Sequence, residues 1–347
     1  MAGGSGTRLW PLSRENNPKQ LHQLVSNKSL MKQTVERISP LVDPKNIWIV
    51  TNKDYQERIS EHSEGVPKNQ IIAEPFPIGT NLAVGLGAIH IARQHPDALI
   101  VVGWADAYIG REAAFHRALE KAQSVAQNAD GVILAVPTTY PAICYGYIEI
   151  GEAIGEFEEV YKIARFEEKP KIDRAQQFFE SDRHFWNSGI SIFKVSKLLE
   201  LMQTHAPEHY LALQFVAEAI GTAEESARME LAFKNLEKTS IDKAIFEKSS
   251  NLAVVAADLD WNDIGSWSAV YDVQSKGSGN VTRGEVISVD TEKCLIYAEH
   301  RLVATLGVSD LVIVETEDAI LIAHKDHSER LKELHDEVKK REGRKYL

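Results

Sequence analysis

Cysteine is scarce: Cys144 and Cys294 are the only two in 347 residues. Thiols so far apart make no disulfide framework, which points to reduced cysteines and a cytoplasmic address. Long apolar runs are lacking as well, and none approaches the roughly 20 residues that a membrane-spanning helix needs. The opening residues are glycine-rich rather than a charged start followed by an apolar stretch, so no signal peptide is expected. Nor is there a basic block. Lys and Arg number 39 against 50 Asp and Glu, a net charge of -11, and no cluster of cations is available to grip a nucleic-acid backbone. The hydrophobic fraction of 44% and charged fraction of 26% are those of a globular chain with a sizeable core. This length suggests two domains, or one large domain with an appendage.

What is present is an alternation of two periodicities. Residues 46–51, 98–103 and 131–136 are short apolar runs typical of strands buried on both faces. Helical patterns lie around them, over 29–38, 54–62, 81–94 and 111–127. Such alternation specifies βαβ units and a mostly parallel sheet, with the ligand site at the carboxyl ends of the strands. From Tyr145 the pattern shifts to an antiparallel insertion (146–150 and 160–166), a helix over 172–180, a strand over 190–195 and a helix-rich stretch over 197–234. Gly277-Ser-Gly-Asn280 is a loop-like break, and β-rich runs follow it at 286–289, 295–297, 311–315 and 319–323. The expected fold class is therefore α/β: a doubly wound, Rossmann-like domain over 1–272 and a small β-rich domain over 280–347. Residues 326–341 should close the chain as a docked amphipathic helix, with Leu331, Leu334 and Val338 on one face.

The start of the chain carries the strongest chemical signal. Gly3, Gly4 and Gly6, with Ser5 and Thr7 beside them, let the backbone approach a ligand without Cβ obstruction, and successive amides in such a loop make an anion-binding nest. Arg8 and Lys19 place two cations beside it, a combination suited to a triphosphate whose charge must be held and redistributed. It is not a P-loop, because no Gly-Lys-Ser/Thr follows at the required spacing.

Gly3-Gly-Ser-Gly-Thr-Arg-Leu-Trp-Pro-Leu-Ser-Arg14 followed by Pro18-Lys-Gln20 resembles the N-terminal motif of sugar-nucleotide pyrophosphorylases. The Trp-Pro-Leu-Ser-Arg and Pro-Lys-Gln variants are similar to those of mannose-1-phosphate guanylyltransferases in particular. Further matches run in order down the chain: Tyr145-Gly-Tyr-Ile-Glu149, Phe166-Glu-Glu-Lys-Pro170, Trp186-Asn-Ser-Gly-Ile190, Ser240-Ile-Asp242 with Glu247-Lys248, and Trp261-Asn-Asp-Ile-Gly-Ser-Trp267. Arg301-Leu-Val-Ala-Thr305 and Thr316-Glu-Asp-Ala319 extend the resemblance to the C-terminal stretch, for which it implies a left-handed β-helix-like domain.

The resemblance implies a nucleotidyltransferase that joins GTP to α-D-mannose 1-phosphate, giving GDP-mannose and pyrophosphate. It implies that Arg8 and Lys19 stabilise the pyrophosphate and that Asn81, in Gly79-Thr-Asn-Leu82, binds nucleotide together with the glycine loop. Asp106 and Asp263 each follow a strand-like run, and two carboxylates at strand ends suit one Mg²⁺, which keeps waters and takes phosphate oxygens; the family implies that role for both. Gly146, Glu168, Lys169 and Asn187 are the implied sugar-phosphate set, with Pro170 pinning the backbone that aims Lys169. Partners are thus small molecules rather than nucleic acid or membrane, with a homodimer as a possible assembly. Thr80, Ala107 and Ile143-Cys144 depart from the family's usual residues. Two alternatives follow: a sister enzyme for another nucleotide or sugar, or a catalytically silent homologue that binds GDP-mannose and regulates. Retained cations and carboxylates favour the enzyme, while Thr80 and Ala107 favour the silent form.

Three further expectations concern packing. Trp186, Trp261 and Trp267 read as core residues rather than stacking platforms. His205 and His209 are four apart with Pro207 between, so a metal-binding helix face is improbable and a surface position is expected. A glycine loop of this kind normally follows a strand, yet only Met1 and Ala2 precede Gly3. The expectation is that about 5–10 apolar, β-branched residues stand upstream in the natural polypeptide.

Overall fold

The computed structural model describes residues 1–155 and 157–347. Met1 and Ala2 lie between the strand residues Val50–Thr51 and the segment Gly103–Ala105: the Ala2 amide donates to the Val50 carbonyl at 2.9 Å, Ala2 bridges Thr51 in parallel, and the Ala105 amide donates to the Met1 carbonyl at 2.9 Å. The glycine loop follows directly. Helix α1 (Leu30–Ile38) is capped by Ser29, whose hydroxyl accepts from the Lys32 amide at 3.2 Å, and it buries Leu30, Met31 and Val35. Strand β1 (Ile49–Asn52), helix α2 (Gln56–His62), strand β2 (Ile71–Glu74) and helix α3 (Thr80–Gln94) come next, with β1 and β2 paired in parallel.

Strand β3 (Leu99–Val102) belongs to the main sheet, β4 (Tyr108–Ile109) pairs outside it with residues Trp261–Asn262, and after helix α4 (Glu112–Val125) strands β5 (Gly131–Pro137), β6 (Gly146–Ala153) and β7 (Val160–Glu168), helix α5 (Ile172–Phe179) and strand β8 (His184–Lys194) continue the main sheet. Helices α6 (Val195–His205), α7 (Pro207–Ala217) and α8 (Glu225–Phe233) stack outside it before strands β9 (Leu252–Ala256) and β10 (Trp261–Asn262) and helix α9 (Trp267–Ser275). The sheet order is β3-β8-β5-β9-β7-β6, and β6 curls back to pair with β8 as well.

The expected mostly parallel sheet is corrected here. Only β5–β9 pair in parallel within it, because the long β8 runs antiparallel between β3 and β5, and the β6–β7 hairpin adds antiparallel pairs. Strands β3, β5 and β9 still share one direction, so their carboxyl ends face one side. Strand β5 alternates its burial: Ile133 and Ala135 join the core beneath α3 and α6, while Val132, Leu134 and Val136 join the core beneath α4 and α5. Helices on both faces, each over its own apolar layer, make the domain doubly wound.

The C-terminal part is a β-helix. Strands β11 (Val281–Arg283), β13 (Leu295–Ala298) and β15 (Leu311–Glu315) form one parallel ladder, with β12 (Val286–Val289) and β14 (Val303–Leu306) forming another. Strand β16 (Ile320–His324) turns antiparallel on β15 and ends the coil. The helix expected over 326–341 begins instead as a 3₁₀ turn, Lys325–Arg330, and becomes α-helical at α10 (Leu331–Glu342). Leu331 is buried and Val338 packs on the same core, but Leu334 is 42% exposed and does not dock. No helix among the described residues is long and apolar enough to cross a membrane.

A third core joins the two parts. It gathers Leu9, Trp10, Leu12, Leu24 and Leu30 from the start of the chain, Ile264, Trp267 and Tyr271 around α9, and Tyr297, Val312, Val314 and Leu331 from the β-helix region. Trp267 has no exposed surface, packs edge-on against Tyr297 at 5.4 Å between ring centroids, and donates its indole N–H to the Trp10 carbonyl at 3.1 Å. Truncating this ring should cost about 3–5 kcal/mol of unfolding free energy. Urea denaturation of Trp267→Ala is the measurement; a loss below about 1 kcal/mol would mean this seam contributes little to stability.

Candidate active site

The glycine loop turns at Gly6, whose φ of +71° lies in the left-handed region. A Cβ at Gly6 would stand 2.7 Å from the Lys19 Cβ, so the loop and the lysine stem can meet only at glycine. Gly3 and Gly4 are exposed, while Ser5, Thr7 and Arg8 are half-buried in and after the turn. A 3₁₀ turn, Thr7–Leu9, then carries Arg8 outward.

Lys19, expected to help stabilise pyrophosphate, is engaged by the protein's own oxygens. Its side chain is buried, and its ammonium reaches Asp106 Oδ2 at 3.0 Å and the carbonyls of Asp263 and Ile264 at 2.8 and 3.3 Å. An ammonium has three donors, and three partners take them. Lys19 thereby ties together the two loops that bear the expected metal carboxylates. Arg8 differs: it is about a third exposed and makes one ion pair, from Nη1 to Glu329 Oε2 at 2.6 Å, so most of its five N–H donors remain for a ligand.

Asp263 is held from one side. Its Oδ1 accepts the Tyr145 hydroxyl at 2.7 Å and the Gly265 amide at 3.1 Å, whereas Oδ2 carries no hydrogen bond among the described residues. The Tyr145 ring sits edge-on to Trp186 and Trp261, with centroids 5.1 and 5.2 Å away. Burial, then the Asp263 carboxylate, push the Tyr145 phenol far above its usual range, so it donates its proton throughout the working pH range. Cys144 beside it is pushed up to about 11, chiefly by burial, which leaves the thiol protonated and unreactive.

The sugar-phosphate candidates gather at the β6–β7 edge. Gly146 faces Glu168 so closely that a Cβ there would lie 2.6 Å from Glu168 Oε2. Glu168 pairs with the exposed Lys169 at 3.0 Å, and Lys169 itself holds a φ of +49°, unusual for a residue with a Cβ. Asn187 donates to Asp242 Oδ1 at 2.9 Å. Burial, reinforced by the neighbouring Glu168 carboxylate, pushes the Asp242 carboxyl up to about 6. Gly146, Glu168, Lys169 and Asn187 are therefore brought together, with Asp242 as a fifth member. Its place in Ser240-Ile-Asp242 was the available signal.

Asn81 is the exception among the expected site residues. Its side chain has no exposed surface: Nδ2 bonds His209 Nδ1 at 3.0 Å, and Oδ1 is buried without a hydrogen-bond partner among the described residues. His209 is corrected with it: rather than lying on the surface it is 5% exposed, and its Nε2 meets the Glu237 carbonyl at 3.0 Å. Pro207 starts α7 and turns His209 inward, while His205 ends α6. Of the departures, Thr80 accepts the Ile241 amide at 3.0 Å, holding the Asp242 segment to α3, and Ala107 is buried with its carbonyl taking both Arg37 Nη atoms at 3.3 Å.

Glu74 was not anticipated. It ends β2, is 6% exposed, leaves Oε1 without a partner, and its Oε2 lies 4.0 Å from where a Gly3 Cβ would stand. Burial pushes its carboxyl up to about 7. The Glu-Pro pair after a short strand was the only signal, and that strand was itself missed.

Comparison with known proteins decides the family. The model described as Nucleotidyl transferase matches residues 1–279, and the one described as MannoseP isomerase/GMP-like beta-helix domain matches residues 284–338. The chain is 34% identical over 358 residues to mannose-1-phosphate guanylyltransferase 2 of Escherichia coli O157:H7, covering 100% of this chain and 74% of that one. The chain belongs to the mannose-1-phosphate guanylyltransferase family of nucleotidyl transferases. It is also 34% identical to the alginate biosynthesis protein AlgA of Pseudomonas aeruginosa, over 96% of this chain and 70% of that protein. A crystal structure from Thermus thermophilus, described as a mannose-1-phosphate geranyltransferase, superposes with a TM-score of 0.89 at 32% identity, covering 98% of each chain.

Asp242 makes stability within this family member depend on pH. Its folded carboxyl at about 6 lies above the ordinary 3.8, so between those values the folded state binds more proton than the unfolded one. Its contribution falls as pH rises from about 4 to 6 and is fully lost above that window. Asp242→Asn removes the effect. Melting temperatures across about pH 4–7 should therefore drop more steeply with rising pH in the wild type than in the variant; parallel profiles would refute the assignment.

Proposed function

We propose that the protein transfers the guanylyl group of GTP to α-D-mannose 1-phosphate, forming GDP-mannose and releasing pyrophosphate. Three things support this: the family, the names of relatives at 34% identity, and contacts that link the glycine loop to the Asp106 and Asp263 loops through Lys19, and Asp263 to the Lys169 peptide through Tyr145. The observation that carries it is Lys19, which binds the glycine loop to the loops of Asp106 and Asp263.

The donor set fits Mg²⁺. Two carboxylates, with Asp263 Oδ2 free of hydrogen bonds among the described residues, are what a cation needs that takes its remaining ligands from water and phosphate. Asp106 and Asp263 would hold the ion, and when bound it supplies charge neutralisation at the α-phosphate.

The chain's own residues do the rest. Loop amides of Gly3, Gly4, Ser5, Gly6 and Thr7 bind the nucleotide phosphates, and Arg8 turns its spare donors to the departing pyrophosphate. Lys19 positions both carboxylates. Lys169 aims its ammonium at the sugar phosphate, whose oxygen attacks the α-phosphorus in line, and Glu168, Asn187 and Asp242 meet the hexose hydroxyls. No covalent enzyme intermediate is required. Glu74 lies beside the loop with Oε1 free of hydrogen bonds among the described residues, and guanine alone among the common bases presents N1–H and an exocyclic amine side by side to a carboxylate.

Four substitutions test the assignment. Asp106→Asn and Asp263→Asn should each lower kcat about a hundredfold or more, with near-normal pyrophosphate release in both overturning the metal role. Lys169→Ala should weaken mannose 1-phosphate binding in calorimetry and leave GTP binding nearly intact; the reverse pattern would mean the two subsites are exchanged. For the base, wild type should prefer GTP over ITP, which lacks the exocyclic amine, by about tenfold or more, the worth of a hydrogen bond to a charged group. Glu74→Gln should erase most of that preference. An unchanged GTP/ITP ratio of kcat/KM would remove Glu74 from base recognition.

A further inference from the structure

Tyr145 touches both halves of the site. Its hydroxyl donates to Asp263 Oδ1 at 2.7 Å, and its carbonyl accepts the Lys169 amide at 3.2 Å. The first contact reaches a carboxylate of the nucleotide side, 118 positions away in the chain. The second reaches the backbone of the sugar side, at the one residue there whose φ of +49° needs outside support. Between the two contacts the residue has little freedom, because Trp186, Trp261 and Tyr140 enclose its ring. Trp186 in turn precedes Asn187, and Gly146 follows Tyr145 directly.

The geometry at Asp263 shows what the hydroxyl does. With the Gly265 amide it saturates Oδ1 and leaves Oδ2 as the only oxygen of that carboxylate open to a cation. We infer that Tyr145 is a positioning residue that sets Asp263 for single-oxygen metal binding and couples the metal position to the Lys169 peptide. The inference rests on the assignment of Asp263 to the metal. Without the phenol O–H, Asp263 Oδ1 keeps only the Gly265 amide, and outer partners of this kind are worth about 10–100-fold in metal affinity or activity.

The test is Mn²⁺ binding, followed by the electron paramagnetic resonance of the free ion, to full-length protein saturated with GDP-mannose. Wild type, Tyr145→Phe, Tyr140→Phe and Asp263→Asn are compared, with thermal melts to confirm folding. Tyr145→Phe keeps the ring and its packing, and should raise the Mn²⁺ dissociation constant about tenfold. Tyr140→Phe, which alters the same aromatic cluster 3.4 Å from the Tyr145 hydroxyl, should leave it unchanged. The coupling is read separately: adding Mn²⁺ should tighten mannose 1-phosphate binding in wild type and do so less in Tyr145→Phe. Equal Mn²⁺ affinity in wild type and Tyr145→Phe would overturn the inference and leave the metal assignment standing. Equal weakening in both tyrosine variants would assign the effect to packing and overturn it too. Binding that survives Asp263→Asn, or is absent from wild type, would instead refute the metal assignment on which the inference rests.

Discussion

Burying a lysine ammonium is costly unless every donor is answered, and Lys19 is answered by three oxygens from two separate loops. Much of the site follows from that requirement. Lys19 can lie where it does only because Gly6 has no Cβ to displace its stem. Its neighbour Gln20 donates to the Ala2 carbonyl at 2.8 Å, which fixes the start of the loop as well. One short stretch, Pro18-Lys-Gln20, therefore sets the distance between the phosphate-binding turn, Asp106 and Asp263.

Charge is balanced locally throughout this frame. Arg8 faces Glu329, Lys19 faces Asp106, and Lys169 faces Glu168. The exposed pairs contribute little stability on their own. Their effect is to orient each cation within the site, with Lys19 the one of the three that is buried. Asp242 and Glu74 are the opposite case: carboxyls that burial has driven upward and that form no ion pair among the described residues.

The doubly wound class and most helices were legible because their apolar periodicity is strong: the patterns over 29–38, 81–94 and 111–127 correspond to α1, α3 and α4. The chemical residues of the glycine loop, the Glu168-Lys169 pair and Asp263 were legible because short motifs carry them. What escaped was short or non-local. Strands β2, β4, β10, β11 and β14 span two to four residues and have no period to read. The antiparallel course of β8 depends on which strands it meets, which local sequence does not encode. Asn81 and His209 found each other across 128 positions, and no helix pattern announces such a pair. Asn46 likewise belongs to a 3₁₀ turn, Pro44–Asn46, rather than to the first strand, because Asp43 caps it through the Lys45 amide at 2.9 Å.

The seam between the β-helix and the opening motif has a consequence for how such proteins can be recombined. Trp10 donates to the Tyr346 carbonyl at 2.7 Å, Arg14 reaches Asp318 at 2.6 Å, and Tyr297 donates to the Leu24 carbonyl at 2.8 Å. The residues just beyond the glycine loop are thus seated on surfaces contributed by the C-terminal coil and its closing segment. A chimera spliced near the Gly277–Gly279 turn between two relatives would keep each half folded in outline while mismatching the support of its own phosphate loop. The opening motif and the C-terminal coil form one inheritable unit, discontinuous in the chain, and a functional graft has to move both pieces together.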